Sequence, residues 1–187
     1  VQTVPAERVT RVPAVMAPVL ATHQKEQPRP RLQRLVVAGK ASNALPGNMP
    51  GFLGLADANA YNPLPPARFE QFFESIEQGM GYGGAGVGSF HDASSLTHPL
   101  CDLYGIRYIV TKERIPTSAT LVDRTPEGTG SFRLLERTTA MPRATFVRLV
   151  DIVPNDEQLE RPEQARLQTL ANRNRDVRKR VVLERAD

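Results

Sequence analysis

The sequence predicts an α+β fold, built on a mixed sheet of about five or six strands with about three helices. Strand-like and helix-like segments follow one another in mixed order, without the strict alternation of a parallel α/β protein. Apolar residues make up 40% and charged residues 24% of the chain, which is typical of a globular domain. The 16 prolines and 13 glycines indicate much irregular backbone, including a long glycine-rich loop.

Residues 1–31 are predicted to form a proline-rich extended arm, and residues 32–187 a single α+β domain. Five prolines argue against a long helix in the arm, which has room for one short strand near Val12–Leu20. The chain starts at a valine, and its opening residues contain no apolar signal-peptide core. No apolar run approaches the ~20 residues that span a bilayer. We therefore expect a piece cut from a longer protein.

The first half of the domain begins with a predicted strand, RLQRLVVAG, over residues 31–39. A loop rich in asparagine, glycine and proline follows, and its length is typical of a functional connection. The clearest helix is PARFEQFFESIEQG, residues 66–79, because Phe69, Phe72, Phe73 and Ile76 fall on one face. THPLCDLYG, residues 97–105, then predicts a short helix, and IRYIVT, residues 106–111, a compact strand.

The second half of the domain is predicted to start with a β-hairpin. Its two strands are ATLVDR and FRLLER, and the turn between them is TPEGTGS. TFVRLVDIV, residues 145–153, predicts a further strand. RPEQARLQTLAN, residues 161–172, predicts a helix, and RKRVVLE, residues 178–184, a closing strand.

The stretch GMGYGGAGVGSF, residues 79–90, contains a literal G-x-G-x-x-G from Gly81 to Gly86. A dinucleotide-binding loop needs a strand before it and a helix starting on it, so that the helix N-terminus meets the pyrophosphate. Here a helix precedes the glycines and no amphipathic helix follows them. We therefore predict a mobile connection that binds no cofactor.

Other chemical groups in the sequence also favour ordinary structural roles. His91, Asp92, His98 and Cys101 are all metal-ligand types, but their spacing matches no paired zinc-ligand unit. A Ser89–His91–Asp92 triad lacks a nucleophile elbow. We predict neither a metal site nor a catalytic residue in this chain.

A basic run lies near the end of the chain, with five basic residues and one acid between positions 173 and 180. Such a run suits phosphates, anionic lipid headgroups or plain solvent. No aromatic residue follows Phe146 to stack on bases, so nucleic acid is not an expected partner.

Four segments in series resemble the YfhO family of bacterial integral membrane proteins over about residues 45 to 185. Ala60-Tyr61-Asn62-Pro63-Leu64 followed by Arg68-Phe69 is similar to the family's Gly-Tyr-Asn/Asp-Pro-Leu motif and its Arg-Tyr/Phe helix. The other three segments are LCDLYGIRYIVT, RLLERTTAMPRATFV and DVRKRVVLE. The chain departs from the family pattern at Ala60, Tyr104 and Glu136-Arg137.

The resemblance implies the extracytoplasmic, periplasmic or extracellular, domain of a multi-pass GT-C-like glycosyltransferase in the cell membrane. Such a parent would transfer sugar from a polyprenyl-phosphate carrier to a cell-envelope acceptor. Its catalytic carboxylates would lie in a loop between membrane helices, so no complete active site is expected here. The resemblance also implies that the domain continues beyond this chain on its C-terminal side. The expected partners are the protein's own membrane region, a lipid-linked sugar and an envelope glycan acceptor.

The resemblance suggests Tyr61, Asn62 and Arg68 as substrate-binding residues. Tyr61 would offer an aromatic face to a sugar, Asn62 an amide to hydroxyls and Arg68 a guanidinium to a carrier phosphate. The alternative is structural: Tyr61 and Asn62 form a turn and Arg68 a salt bridge. Arg143 is predicted to be an internal ion-pair or hydrogen-bond hub.

The alternative function for the chain is a non-catalytic binding or scaffold module that contacts envelope polymer or a partner protein. A free-standing soluble enzyme ranks third.

Overall fold

The computed structural model describes residues 12–25, 34–38, 49–58, 67–77, 90, 92–142, 145–146, 148–153, 169, 172 and 179–184. Four helices lie in these ranges: α1 (Ala17–Lys25), α2 (Met49–Phe52), α3 (Ala67–Glu74) and α4 (Pro99–Leu103). The strands are β1 (Arg34–Ala38), β2 (Ala56–Asp57), β3 (Ile106–Thr111), β4 (Leu121–Asp123), β5 (Arg133–Arg137), β6 (Leu149–Val153) and β7 (Arg180–Glu184). The predicted mixture of helix and strand is confirmed.

The described strands form a five-stranded sheet in the order β2-β1-β3-β5-β4 and a separate two-stranded sheet of β6 and β7. In the larger sheet β1 runs parallel to both β2 and β3, whereas β5 runs antiparallel to β3 and β4. The predicted hairpin of β4 and β5 is therefore confirmed. The two strands of the smaller sheet are parallel to each other.

The first face of the larger sheet packs against α3 and α4. Phe73 and Ile76 of α3, together with Leu100 and Cys101 of α4, are buried against strand residues such as Leu135. The aromatic stripe predicted for α3 thus packs in the core: the Phe73 ring lies 4.7 Å from Phe69 and 5.2 Å from Tyr104, centroid to centroid. Edge-to-face pairs at these distances add a little to the stability from area burial.

An irregularity in β3 brings two isoleucines onto this first face. Arg34 of β1 pairs with Ile106, but the next residue, Leu35, pairs with Tyr108. Arg107 is thus an extra residue, and it reverses the alternation of side chains along the strand. As a result Ile106 and Ile109 both join the first-face cluster, whereas Tyr108 and Val110 lie in the cluster on the second face.

The second face of the sheet is covered by the N-terminal segment, which corrects the prediction of an extended arm over residues 12–25. A 3-10 turn, Ala14–Met16, leads directly into α1. Val15, Met16 and Val19 are at most 1% exposed and pack against Val110 and Leu134. Pro18 lies in the first turn of α1, where a missing N–H removes little hydrogen bonding. No strand forms near Val12–Leu20, and the domain boundary at residue 31 stays a prediction.

Several element boundaries differ from the predictions. The strand predicted from residue 145 begins only at Leu149. The helix predicted over 161–172 lies outside the described residues apart from Thr169 and Asn172. The short helix α4 does end as predicted, because Gly105 follows it with a φ of 73°, a left-handed conformation that favours glycine.

Candidate functional site

The carboxyl ends of β1 and β3 lie at one edge of the larger sheet, which we call the carboxyl edge. The pairing of β1 with β3 ends at Ala38 opposite Thr111, whereas β2 ends at Asp57 opposite Leu35, three residues before Ala38. Thr111 is also opposite Arg133, the first residue of antiparallel β5. The carboxyl edge therefore includes the end of β3 and the start of β5.

The direction in which successive strands are added to the sheet reverses after β2. From β1 the chain passes through α2 to β2 on one side, and from β2 it returns through α3 and α4 to β3 on the other side. Met49 of α2 packs with the second-face cluster, whereas α3 and α4 cover the first face. The connections after β1 and β2 thus lead to opposite sides of the sheet. A crevice at such a switch point is the usual ligand site of open parallel sheets.

The predicted substrate-binding residues belong to the connection that follows β2. Tyr61 and Asn62 fall between β2 and α3 and lie outside the described residues. Arg68 is the second residue of α3, and its backbone alone is described. The chain order thus puts all three after the carboxyl end of β2. Their side-chain roles stay predictions.

At the end of β3 the structure fixes a cation that was not among the predicted site residues. The Lys112 ammonium lies 4.7 Å from the ring centroid of Phe132, within the range of a cation–π contact. The register explains the pair, because Lys112 directly follows Thr111 and Phe132 directly precedes Arg133. The Thr111 hydroxyl, which is fully buried, accepts a hydrogen bond of 2.9 Å from the Glu113 N–H. This bond shapes the turn that carries Lys112.

An ion pair between β4 and β5 neutralises a second cation at the same edge. Arg133 Nη2 donates to Asp123 Oδ2 at 2.5 Å, and the Thr125 hydroxyl donates to Asp123 Oδ1 at 2.5 Å. Burial alone would raise the pKa of Asp123, but the hydrogen bonds from Thr125 and Arg133 outweigh it, so the net pKa is lowered. Arg133 therefore contributes little net positive charge to the carboxyl edge.

The most deeply buried charges form a hub on the first face, away from the carboxyl edge. Arg137 of β5 donates to Asp102 Oδ1 of α4 from Nε at 3.0 Å and from Nη2 at 2.7 Å. The guanidinium also donates to the carbonyl oxygens of Leu96 and His98, and the Thr139 hydroxyl donates to the same Asp102 oxygen at 2.7 Å. Arg137 is 5% and Asp102 7% exposed. These bonds join α4 to β5 and leave the pair no open side for a substrate.

The hub that the sequence predicted at Arg143 is found at Arg137 among the described residues, and Arg143 itself lies outside them. Both residues belong to the segment RLLERTTAMPRATFV. The signal for Arg137 is a charge at an inward position of β5, beside the buried Leu135. An arginine there needs a buried partner of opposite charge, and Asp102 is that partner.

Two of the metal-ligand types in the sequence perform structural tasks. His98 is the N-cap of α4, and its Nδ1 accepts from the Leu100 N–H at 3.1 Å. Cys101 is fully buried, and its Sγ–H donates to the Ser95 carbonyl at 3.5 Å. His91 lies outside the described residues. Among the described residues, no group of three or more histidine, cysteine, aspartate or glutamate side chains has a geometry that would hold a metal ion.

The glycine-rich loop, residues 78–89, also lies outside the described residues, but its two flanks are held together. The Asp92 N–H donates to Glu77 Oε2 at 3.3 Å. The Phe90 ring, which is buried, lies 5.6 Å from the Phe73 ring of α3. The described residues on either side of the loop are therefore close together, and Phe90 packs in the first-face cluster.

Comparisons with protein-family models, with curated proteins and with solved structures find no match to this chain. Within the described ranges, no helix has both the length and the apolar character needed to cross a membrane.

Proposed function

We propose that this chain is the extracytoplasmic domain of a multi-pass, GT-C-like membrane glycosyltransferase of the YfhO type. One observation carries the proposal: two of the resembling segments meet in the larger sheet. β3 lies in LCDLYGIRYIVT, β5 lies in RLLERTTAMPRATFV, and the two strands pair from Tyr108 opposite Glu136 to Thr111 opposite Arg133. Segments that recur together in a family are expected to make such mutual contacts. This contact supports a common origin for them.

The proposed role of the domain is to position a substrate for an active site in the membrane region. In this role Tyr61, Asn62 and Arg68 bind the sugar or the carrier phosphate, and the parent protein acts on an envelope glycan or a lipid-linked sugar. The switch in strand order supports this role, because these residues follow β2, whose connection covers the opposite face of the sheet from that of β1. The proposal includes the finer prediction for the complete domain, a mixed sheet of about five or six strands with about three helices.

A second candidate is a non-catalytic binding or scaffold module that contacts envelope polymer or a partner protein. This candidate is favoured because side chains that could be reactive form hydrogen bonds that hold the fold together. His98 caps α4, Cys101 donates to a backbone carbonyl, and Asp102 accepts three hydrogen bonds at one oxygen. These hydrogen bonds hold α4 in place, and their structural use supports a module without chemistry at these groups.

The complete gene separates the two candidates. The first candidate requires several apolar spans of ~20 residues in the parent protein. Translation of the full reading frame and a hydropathy profile would show them. A parent without such spans would rule out the glycosyltransferase proposal and leave the scaffold module.

Substitution in the full-length protein tests the residue roles. We expect Tyr61→Ala and Arg68→Ala to lower glycan transfer at least ~10-fold, because each loses a stacking or charge-assisted contact. Phe52→Ala and Arg148→Ala are the matched controls, since both side chains are exposed and lie on other connections. Normal transfer by stable Tyr61 and Arg68 variants would remove these residues from the site.

A further inference from the structure

A surface groove of about 480 Å³ lies beside the carboxyl edge. One wall is the start of the N-terminal helical segment, and the other is the turn between β4 and β5. Its volume is within the ~300–1,000 Å³ that small-molecule sites occupy. The lining residues are Val12, Pro13, Ala14, Val15, Gly128, Thr129 and Phe132.

The two walls of the groove are held by the core beneath them. Val15 is 1% exposed and belongs to the same buried cluster as Leu134, and Phe132 packs against this cluster. At the rim, Gly128 has a φ of 76°, and a Cβ placed on it would meet no atom within 4 Å. The groove is therefore a fixed feature of the fold, and glycine leaves one side of it free of side chains.

The lining combines apolar rings with a hydroxyl acceptor. Pro13 and Phe132 present ring surfaces of the kind on which the C–H face of a sugar packs. The single hydrogen of the Thr129 hydroxyl is shared between two carbonyl oxygens, that of Phe132 at 2.9 Å and that of Pro126 at 3.2 Å. Because its one hydrogen is committed, this oxygen can serve a ligand only by accepting, for instance from a sugar hydroxyl.

A positive charge lies beside the Phe132 ring, next to the lining residues of the groove. The Lys112 ammonium lies 4.7 Å from the centroid of that ring. In the part of the chain that the structure describes, no carboxylate forms an ion pair with Lys112, whereas neighbouring Arg133 is neutralised by Asp123. The ammonium is thus available to an anionic ligand.

The geometry points to a binding site for an anionic saccharide in this groove, a sugar that carries a phosphate or a carboxylate. The choice of a sugar rests on the proposed function. The sugar ring packs on Phe132 and Pro13, one hydroxyl donates to Thr129 Oγ1, and the anionic group contacts the Lys112 ammonium. The site adds a second contact region, on the β5 side of the sheet, to the one proposed at Tyr61, Asn62 and Arg68.

Titration of the 187-residue chain, followed by ¹H–¹⁵N NMR, tests the site. The probes are glucose 1-phosphate, glucuronic acid and neutral glucose. We expect shift changes at Thr129 and Phe132 with a dissociation constant of about 1 mM for an anionic probe, at least ~10-fold tighter than for glucose. Whichever of the two anionic probes binds more tightly shows whether the site prefers a phosphate-bearing or a carboxylate-bearing ligand. Equal binding of all three probes, or no shift changes near the groove, would overturn the proposal.

Lys112→Met removes the charge and retains most of the side-chain length, and Lys25→Met is its matched control at the exposed far end of α1. We expect about tenfold weaker binding for Lys112→Met and unchanged binding for Lys25→Met.

Wild-type affinity should also fall as salt is raised from 20 mM to 500 mM, on the order of several-fold. Glu127 precedes Gly128 and opposes an anion, so Glu127→Gln should tighten binding. The site would be contradicted if both lysine changes had equal effects, if salt did not change the affinity, or if Glu127→Gln weakened binding.

Different experimental results would contradict this inference and the proposed function. A parent with membrane spans and a chain that binds none of the probes would leave the proposed function in place without this groove. A parent without spans would remove the glycosyltransferase, whatever the groove binds.

Discussion

The two faces of the five-stranded sheet are stabilised in different ways. On the first face, α3 and α4 supply aromatic and aliphatic side chains, and the Arg137–Asp102 pair is enclosed beside them. On the second face, Val15, Met16 and Val19 make a purely apolar contact with β3 and β5. When one partner of a buried ion pair is lost, the other charge stays buried without a counter-ion, which strongly destabilises the protein. The stability of an apolar contact falls in proportion to the volume removed. The first face should therefore be the less tolerant of a single substitution.

The largest effect is expected from Arg137→Met. The change leaves the Asp102 carboxylate buried without its counter-ion, and it removes donors from the carbonyls of Leu96 and His98. The loss of a single partner from a buried pair typically costs about 3–5 kcal/mol of unfolding free energy. Urea denaturation of the 187-residue chain measures the cost.

Arg124→Met is the control, because Arg124 is 53% exposed and pairs with Glu136 at 3.0 Å on the surface. Such a pair contributes at most about 1 kcal/mol. If the two variants lost equal stability, the contrast between buried and exposed arginines would be wrong.

An intermediate effect is expected from Met16→Ala on the second face. Met16 is fully buried, and truncation leaves a cavity between α1 and the sheet. Changes of this kind cost about 2–5 kcal/mol, and the cost falls in the lower half of the range where the surrounding side chains can partly fill the cavity. Thermal or urea unfolding gives the value.

Gln24→Ala on the exposed side of α1 should change stability by less than about 0.5 kcal/mol. Wild-type stability in Met16→Ala would mean that the N-terminal segment does not pack on the sheet in solution. The extended arm would then be the better description of residues 12–25.

The smallest effect concerns the half-exposed Asp123–Arg133 pair. Because the pKa of Asp123 is lowered on folding, its contribution is present above the unfolded pKa of about 3.9 and is lost as the pH falls through the lower folded value. Solvent screening limits the contribution to under about 1 kcal/mol. Unfolding free energies at pH 7 and pH 3 should therefore differ less in Asp123→Asn than in the wild type. An unchanged or larger difference in the variant would contradict this assignment.

The sequence predicted most reliably the elements whose signals are local. The apolar face of α3, Gly105 after α4 and the β-branched run of β3 each indicated the observed structure. The N-terminal helix was missed, although its signal was present: Val12, Val15, Met16, Val19 and Leu20 are spaced as on one face of a helix. The prolines of this segment argued against a helix, but Pro18 lies in the first turn of α1, where proline is tolerated.

The candidate site was predictable only in part, because it combines segments that are distant in the chain. The cation at Lys112 and the ring of Phe132 look unrelated in the sequence, and the antiparallel register of β3 and β5 makes them neighbours. Arg137 and Asp102 likewise meet only through the packing of α4 on β5. In the same way, the resemblance suggested Tyr61, Asn62 and Arg68, but only the sheet topology shows that they follow a strand at the switch in strand order.

The sequence by itself determined where apolar faces, turns and strands occur, since these depend on side-chain periodicity and on the backbone limits of glycine and proline. Tertiary structure alone decided that β1, β2 and β3 are parallel, that Arg107 reverses the alternation in β3, and that α1 completes the second core. Strand pairing and core closure depend on contacts between residues far apart in the chain, and no local pattern records which of these contacts has the lowest free energy.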